Sequence, residues 1–277
     1  MKKILVPIDF SKISLNAMNY AIRLANQSNA RVQLLHVCLA PGLISTNTTI
    51  ALPSADQLLR EGLAGLEKLK RRTLKRYPDL KIDCECISGF PIEEIQNHAE
   101  KKKADLIVMG TQGAGYLSER FFGSTATSII GSSPVPVLAI DQKMRYRAIK
   151  RIVFACDFVE TQPQVLKPLK DMAKLFGAEI FILNVVLAPI VSPTMEETLA
   201  AYKLDRSFKN LHHTFFYLHH ENIVQGINDF ISEYKMDMVV MIARHHSFFS
   251  RLLMEPHTKQ MAFHAKVPLL ALEASNN

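Results

Sequence analysis

The residues best suited to chemistry lie close together in one segment, Gly110-Thr-Gln-Gly113-Ala-Gly115-Tyr-Leu-Ser-Glu-Arg-Phe-Phe-Gly123-Ser124-Thr125. Glycine tolerates positive φ and, having no Cβ, lets the main chain approach a ligand closely. Free amides at the start of a helix, aided by the helix dipole, favour an anion. Gly123-Ser124-Thr125 opens a helical stretch, and the two hydroxyls are placed either to cap it or to donate to phosphate oxygens. The chemistry on offer is phosphate binding. The segment is not a Walker A loop, which needs a lysine after its last glycine, nor a dinucleotide fingerprint, which follows a first strand. As a bare pattern it also fits a plain turn followed by a helix cap. No nucleophile with an adjacent base and no carboxylate pair stands in the loop, so binding is better supported than turnover.

Two further groups of side chains merit the same scrutiny. Eight of the ten histidines fall in the second half of the chain: His212, His213, His219, His220, His245, His246, His257 and His264. No H-E-x-x-H or comparable spacing accompanies them, so they are expected as polar surface, with a transition-metal site or a pH-responsive surface as the sharper alternatives. Cys38, Cys84, Cys86 and Cys156 contain no C-x-x-C pair and are read as reduced thiols. Cys84 and Cys86, two apart in a strand-like stretch, should share a face; packing explains that, and a redox pair is the alternative.

The elements that must position the loop follow from apolar periodicity. Ile4 to Ile8 and Val32 to Val37 are near-continuous apolar runs, as in strands covered on both faces. Ser14 to Ala25 repeats apolar residues at helical spacing, and Leu58 to Tyr77 is a long amphipathic helix. There follow a strand over Lys81 to Ile87, a helix over Ile92 to Lys102, a strand over Leu106 to Met109, a helix from Ser124 to Ile130 and a strand over Val135 to Ile140. Such alternation specifies a parallel, doubly wound sheet, whose ligands bind beyond the carboxyl ends of its strands. Asp9, just past the first strand, stands there too, with a second reading as cap of the helix that begins near Ser11.

The pattern then occurs again. Lys2-Lys-Ile-Leu-Val-Pro-Ile-Asp-Phe10 is echoed by Lys150-Arg-Ile-Val-Phe-Ala-Cys-Asp-Phe158, and Leu35, Val37 and Leu39 by Leu183, Val185 and Leu187. The first strand, first helix and second strand are therefore expected to have equal lengths in both halves. Further on, Ala104-Asp-Leu-Ile-Val-Met-Gly110 meets Met236-Asp-Met-Val-Val-Met-Ile242, and Pro134-Val-Pro-Val-Leu-Ala-Ile140 meets Lys266-Val-Pro-Leu-Leu-Ala-Leu272. The reading is two tandem doubly wound α/β domains, residues 1–142 and 149–277, each with a five-stranded, mainly parallel sheet, joined by a short polar, basic linker.

The spacing of the loop and its flanking strands resembles the universal stress protein family, whose nucleotide-binding branch carries Gly-x2-Gly-x9-Gly-Ser/Thr. Gly110, Gly113, Gly123 and Ser124 fit it residue for residue, Val6-Pro-Ile-Asp9-Phe-Ser resembles the opening strand, and Gly89-Phe-Pro91 and Val135-Pro136-Val137 resemble later landmarks. The resemblance implies an adenine-nucleotide alpha-hydrolase-like, Rossmann-like fold that binds ATP and serves as a stress-response regulator. It places Asp9 and the backbone near Pro7, Ile8 and Val37 against adenine and ribose. Met109, Gly110, Gly113, Ala114 and Gly115 would wrap the phosphates, and Gly123, Ser124 and Thr125 would complete the cradle. Mg²⁺ would accompany the phosphates without a dedicated protein cage; slow ATP hydrolysis would be incidental.

The second half departs where it matters. Ile242, His245, Glu255, Pro256 and His257 stand at the places of Gly110, Gly113, Gly123, Ser124 and Thr125, so bulk and a carboxylate replace room and donors, although Asp157 repeats Asp9. The expected partners are thus an adenine nucleotide in the first half and a protein not identified by the sequence. The alternative is a nucleotide-independent scaffold of the same fold. In either case the two fifth strands, Val135 to Ile140 and Val267 to Leu272, are candidates to pair as an intramolecular pseudo-dimer, as family members often do, with a homodimer of whole chains as a further step.

Composition narrows the remaining classes. The 277 residues suit two domains, with 48% hydrophobic and 21% charged residues. The net charge of +7 is spread over helical segments without zinc-finger, RNP-like or basic-arm motifs, so no nucleic-acid partner is expected. No run of about 18 apolar residues is present, and Met1-Lys2-Lys3 leads straight into a strand, so neither a membrane partner nor secretion is expected. A cytoplasmic location is the corresponding expectation.

Overall fold

A computed structural model describes residues 1–39, 54–112, 123–157, 162–187, 194–243 and 267–273. The first half runs β1 (Lys3–Pro7), α1 (Lys12–Ser28), β2 (Arg31–Cys38), α2 (Ala55–Leu74), β3 (Ile82–Ser88), α3 (Pro91–Lys101), β4 (Leu106–Gly110), α4 (Ser124–Ser132) and β5 (Val137–Ile140). The second runs β6 (Arg151–Ala155), α5 (Lys167–Phe176), β7 (Glu179–Val186), α6 (Met195–Phe208), β8 (His213–His219), α7 (Ile223–Glu233), β9 (Met238–Ala243) and β10 (Leu269–Glu273). Each element expected in the first half is present, with ends shifted by only a few residues.

Local chemistry accounts for the boundaries. Ser11 caps α1 by accepting the Ser14 amide, and Asn29 ends it in the left-handed conformation at φ 52°. Ser54 caps α2 in the same way through the Gln57 amide. Thr194 and Glu197 close a reciprocal capping box on α6, and Pro91 starts α3 where no amide partner is needed. One expectation fails: β6 and β7 match β1 and β2 in length, but α5 has 10 residues against 17 in α1. Pro163 and Pro168 explain the difference, because a proline inside a helix lacks the amide for the i−4 carbonyl; the helix starts only where Pro168 falls in its first turn.

Strands pair in the order β3-β2-β1-β4-β5-β10-β9-β6-β7-β8, forming one ten-stranded sheet. Pairing is parallel within each half and antiparallel at the junction, where Leu138 lies opposite Leu270, its own counterpart in the repeat. The two fifth strands therefore meet about a pseudo-twofold axis, as in an isologous dimer contained in one chain. Both sides of the sheet are covered. On one side Ala21 and Leu66, of α1 and α2, share a continuous apolar core with Met172 and Leu204, of α5 and α6. On the other, Ile95, Ile129 and Phe230, of α3, α4 and α7, form the second. Among the described residues no helix is long and apolar enough to cross a membrane.

Cys38, Cys84 and Cys86 lie beneath α2, and Cys156 stands just beyond β6. Cys84 and Cys86 share a face, yet the nearest thiol to Cys86 is Cys38 on the neighbouring strand, at 3.5 Å. None of the four cysteines forms a disulfide. Burial, reinforced by Glu67 at Cys84 and by the Cys38 thiol at Cys86, pushes both up to about 12. With so little thiolate at pH 7.5, iodoacetamide should label these two about a thousandfold more slowly than an ordinary thiol of pKa near 8.5. Peptide mass spectrometry of the native protein measures this; rapid labelling of Cys86 would show that its thiol is reactive.

Candidate functional site at the switch point

In the first half β1 is central: the chain passes from it to β2 on one side, and β4 lies on the other. Loops leaving the carboxyl ends of β1 and β4 therefore diverge and open a crevice between them, the usual ligand position in such sheets. Pro7 ends β1 opposite Leu35, and the Ile8 amide donates to the Leu35 carbonyl at 2.8 Å. Asp9 is exposed at the crevice, and its Oδ1 accepts the Ser11 amide at 2.9 Å. Asp9 thus braces the turn, and the helix cap belongs to Ser11.

Phe10, between them, has φ 62°, a conformation that costs a bulky residue energy and is retained only where its surroundings impose it. Its ring meets His36 at 4.7 Å between centroids and lies under Gly65, where an added Cβ would come within 2.8 Å of it. His36 Nδ1 lies 2.6 Å from the Ile8 carbonyl, which can only accept, so Nδ1 carries the hydrogen. In the sequence the echo of Phe10 in Phe158 is the one signal that marks this pair, and His36 carries none.

Opposite this turn stands the end of β4. Met109 is buried within the sheet, so its side chain belongs to the core and Gly110 is the first residue of that strand at the crevice. A Cβ on Gly110 would fall 2.5 Å from Ile13 Cγ2, so glycine is required there by the start of α1. Thr111 too carries no such signal. Its amide donates to the Ile140 carbonyl and its carbonyl accepts the Gly123 amide, drawing the two ends of the loop together. Its hydroxyl is buried without a hydrogen-bond partner among the described residues, and such orphan groups call for an explanation. Gly113, Ala114 and Gly115 lie outside the described residues.

Gly123 is the cap residue of α4 and supplies no side-chain hydrogen bond. Ser124 and Thr125 are consequently the first two residues of the helix and do not cap it. The first amides of α4 have no intrahelical acceptors, and no acidic residue stands in its first turn to offset the positive end of the dipole. Val37 is half-buried, one residue before the end of β2. Pro7, Ile8, Asp9, Gly110 and Gly123 to Thr125 thus stand on the loops and strand ends at the switch point. A cavity of about 950 Å³ lies elsewhere, between the end of α1, the start of β4 and α5, and contains none of these residues.

In the second half Asp157 is exposed beyond β6, and Ile242 occupies the place of Gly110 within β9. His245, Glu255, Pro256 and His257 lie outside the described residues, as do His246 and His264. His213 faces Asp205 at 3.1 Å, His220, just beyond the end of β8, faces Asp229 at 3.6 Å, and His219 Nε2 lies 3.3 Å from the Leu187 carbonyl.

Comparison with known proteins agrees with this architecture. The model of the universal stress protein family matches residues 1–141 and again 148–273. A universal stress protein of Methanocaldococcus jannaschii is 36% identical over 146 residues, covering 50% of this chain and 81% of that protein. The Bacillus subtilis universal stress protein YxiE is 30% identical over 146 residues, covering 50% and 97%. A crystal structure of an Archaeoglobus fulgidus universal stress protein covers 99% of this chain and 98% of its own, with a TM-score of 0.73 at 17% identity, a likeness of fold. With one match in each half and a shared fold across its length, the chain belongs to the universal stress protein family, in a tandem form.

Proposed function

We propose that this protein is an ATP-binding, stress-responsive regulator whose nucleotide is held by the first domain, residues 1–142, while the second, residues 149–277, has lost the phosphate cradle. The observation that carries the reading is the uncapped start of α4 beside the orphaned Thr111 hydroxyl, facing Asp9 across the switch point. Free amides, an unpaired hydroxyl and a small-residue approach fit a polyphosphate. Asp9 fits the ribose or adenine side of the crevice, with Pro7, Ile8 and Val37 contributing backbone. Gly110, Gly113, Ala114 and Gly115 would follow the phosphates, and Gly123, Ser124 and Thr125 would receive them. Among the described residues Asp9 is the carboxylate at this crevice, and Mg²⁺ would take its ligands mainly from phosphate and water. Bound nucleotide would order the segment between Gly110 and Thr125 and so alter a surface read by a protein partner. The four unbridged cysteines support a cytoplasmic location.

A nucleotide-independent scaffold is the second reading, favoured by the β5–β10 junction, which unites the halves without any ligand. Mass spectrometry of protein purified without added nucleotide, with equilibrium dialysis against ATP, separates the two. The first predicts co-purifying adenine nucleotide and saturable ATP uptake at one site per chain. Absence of both would leave the scaffold.

A further inference from the structure

On the sheet face covered by α1 and α2 lies a cleft of about 570 Å³, walled by α1, the end of α2 and the segment joining the halves. Arg23, Arg72, Arg76 and Arg145 line it, and no Asp or Glu does. Some cations elsewhere are paired with a carboxylate, as Arg31 with Asp83, Arg147 with Asp237, Lys102 with Glu85 and Lys167 with Asp171. Among the described residues none of the four cleft arginines has such a partner. Arg72 is in the last turn of α2, where the dipole alone favours a cation, but Arg23 within α1 and Arg145 beyond β5 have no such reason.

The cleft is also held in shape. Arg23 Cζ stands 6.0 Å from the Tyr146 ring centroid and Arg76 Cζ 5.6 Å from that of Tyr77. Tyr146 packs edge-on to Tyr20 at 4.9 Å and donates its hydroxyl to Gln27. Asn16 donates to the carbonyls of Asp141 and Met144, at 2.9 and 2.8 Å, tying the wall that carries Arg145 to α1. Guanidinium groups present paired donors matched to phosphate oxygens, and a concave surface of one sign concentrates counter-ions. Aromatic rings beside them offer faces for stacking.

We propose that this cleft is a second anion site, for a compact ligand carrying at least two linked phosphate groups, such as inorganic pyrophosphate or a nucleoside diphosphate. The cleft shares no residue with the switch-point crevice and stands whether or not that crevice binds ATP. Because Arg145 lies on the segment between the halves, occupancy fastens that segment to α1 and α2.

The test is titration calorimetry of the full chain with inorganic pyrophosphate at constant ionic strength, in a Ser124→Glu background so that the start of α4 does not contribute. Saturable binding is expected, weakened at least about tenfold by Arg72→Gln with Arg76→Gln and less by the corresponding lysine pair, since lysine keeps charge but loses the bidentate fork. All four side chains are exposed, and Arg145→Gln, outside any helix, gives an independent variant expected to weaken binding in the same direction. Adenosine diphosphate in place of pyrophosphate identifies the source: tighter binding means that the tyrosines read a nucleoside, and equal affinity means that the diphosphate alone is read. The proposal is overturned if pyrophosphate binding is absent, is unmoved by the glutamine variants, or is reproduced by sulfate. It is equally overturned if single-stranded RNA binds there and pyrophosphate does not displace it.

Discussion

Ser124→Glu should abolish most ATP binding while leaving the protein folded. Ser124 is the exposed first residue of α4, so a glutamate there stands at the positive end of the helix dipole and should stabilise α4 by about 0.3–1 kcal/mol. Its carboxylate would also occupy the space expected for phosphate. Two like charges about 4 Å apart at an effective dielectric near 20 repel by about 4 kcal/mol. Water and salt at the crevice mouth screen part of this, which leaves about a hundredfold weaker binding. Equilibrium dialysis with ATP, alongside thermal denaturation, reads both halves of the prediction. A variant with unaltered melting temperature and unaltered ATP affinity would remove the start of α4 from the site. The second domain offers a natural counterpart, since Glu255 already stands at the place of Gly123.

The second large effect concerns the junction. Leu138 and Leu270 are fully buried and face each other across the antiparallel β5–β10 pair. Truncating either to alanine removes buried methyl groups and leaves a cavity, at a cost of about 3 kcal/mol. For a chain of this size that lowers the melting temperature by about 5–10 °C. Since the two side chains belong to one core, the double variant should depart from additivity, which a double-mutant cycle would measure. The same geometry predicts that residues 1–142 alone self-associate. Val137 to Ile140 are at most 1% exposed, and deleting β10 would uncover an apolar edge strand. Light scattering on that fragment should report a dimer; a stable monomer would show that β5 does not need a partner strand.

How much of this was legible beforehand depends on the range of the interactions. Apolar periodicity placed the strands and helices of the first half, since a strand covered on both faces has to be a continuous apolar run. The repeat gave the tandem organisation, because copies of one pattern fold to copies of one shape. Gly123 before a helical stretch marked the start of α4, as amides without intrahelical acceptors at a helix end are a property of the helix itself. Matching apolar fifth strands suggested their pairing. The equal helix lengths inferred from spacing failed because two prolines outweighed the alignment.

What the sequence determined by itself is therefore local: element type, element order, the repeat, and the residue types carried by the turns after β1 and β4. The tertiary structure alone decided the distances between groups far apart in the chain. It set Leu138 opposite Leu270, brought Cys86 against Cys38 instead of Cys84, forced Phe10 into the left-handed region beneath Gly65, and left the Thr111 hydroxyl buried without a partner. It also gathered four arginines from α1, α2 and the connecting segment around one cleft. The physical reason is that periodicity and capping act over a few residues, whereas register across a sheet, close helix–sheet approach and the pairing of charges are fixed only when the whole chain has packed.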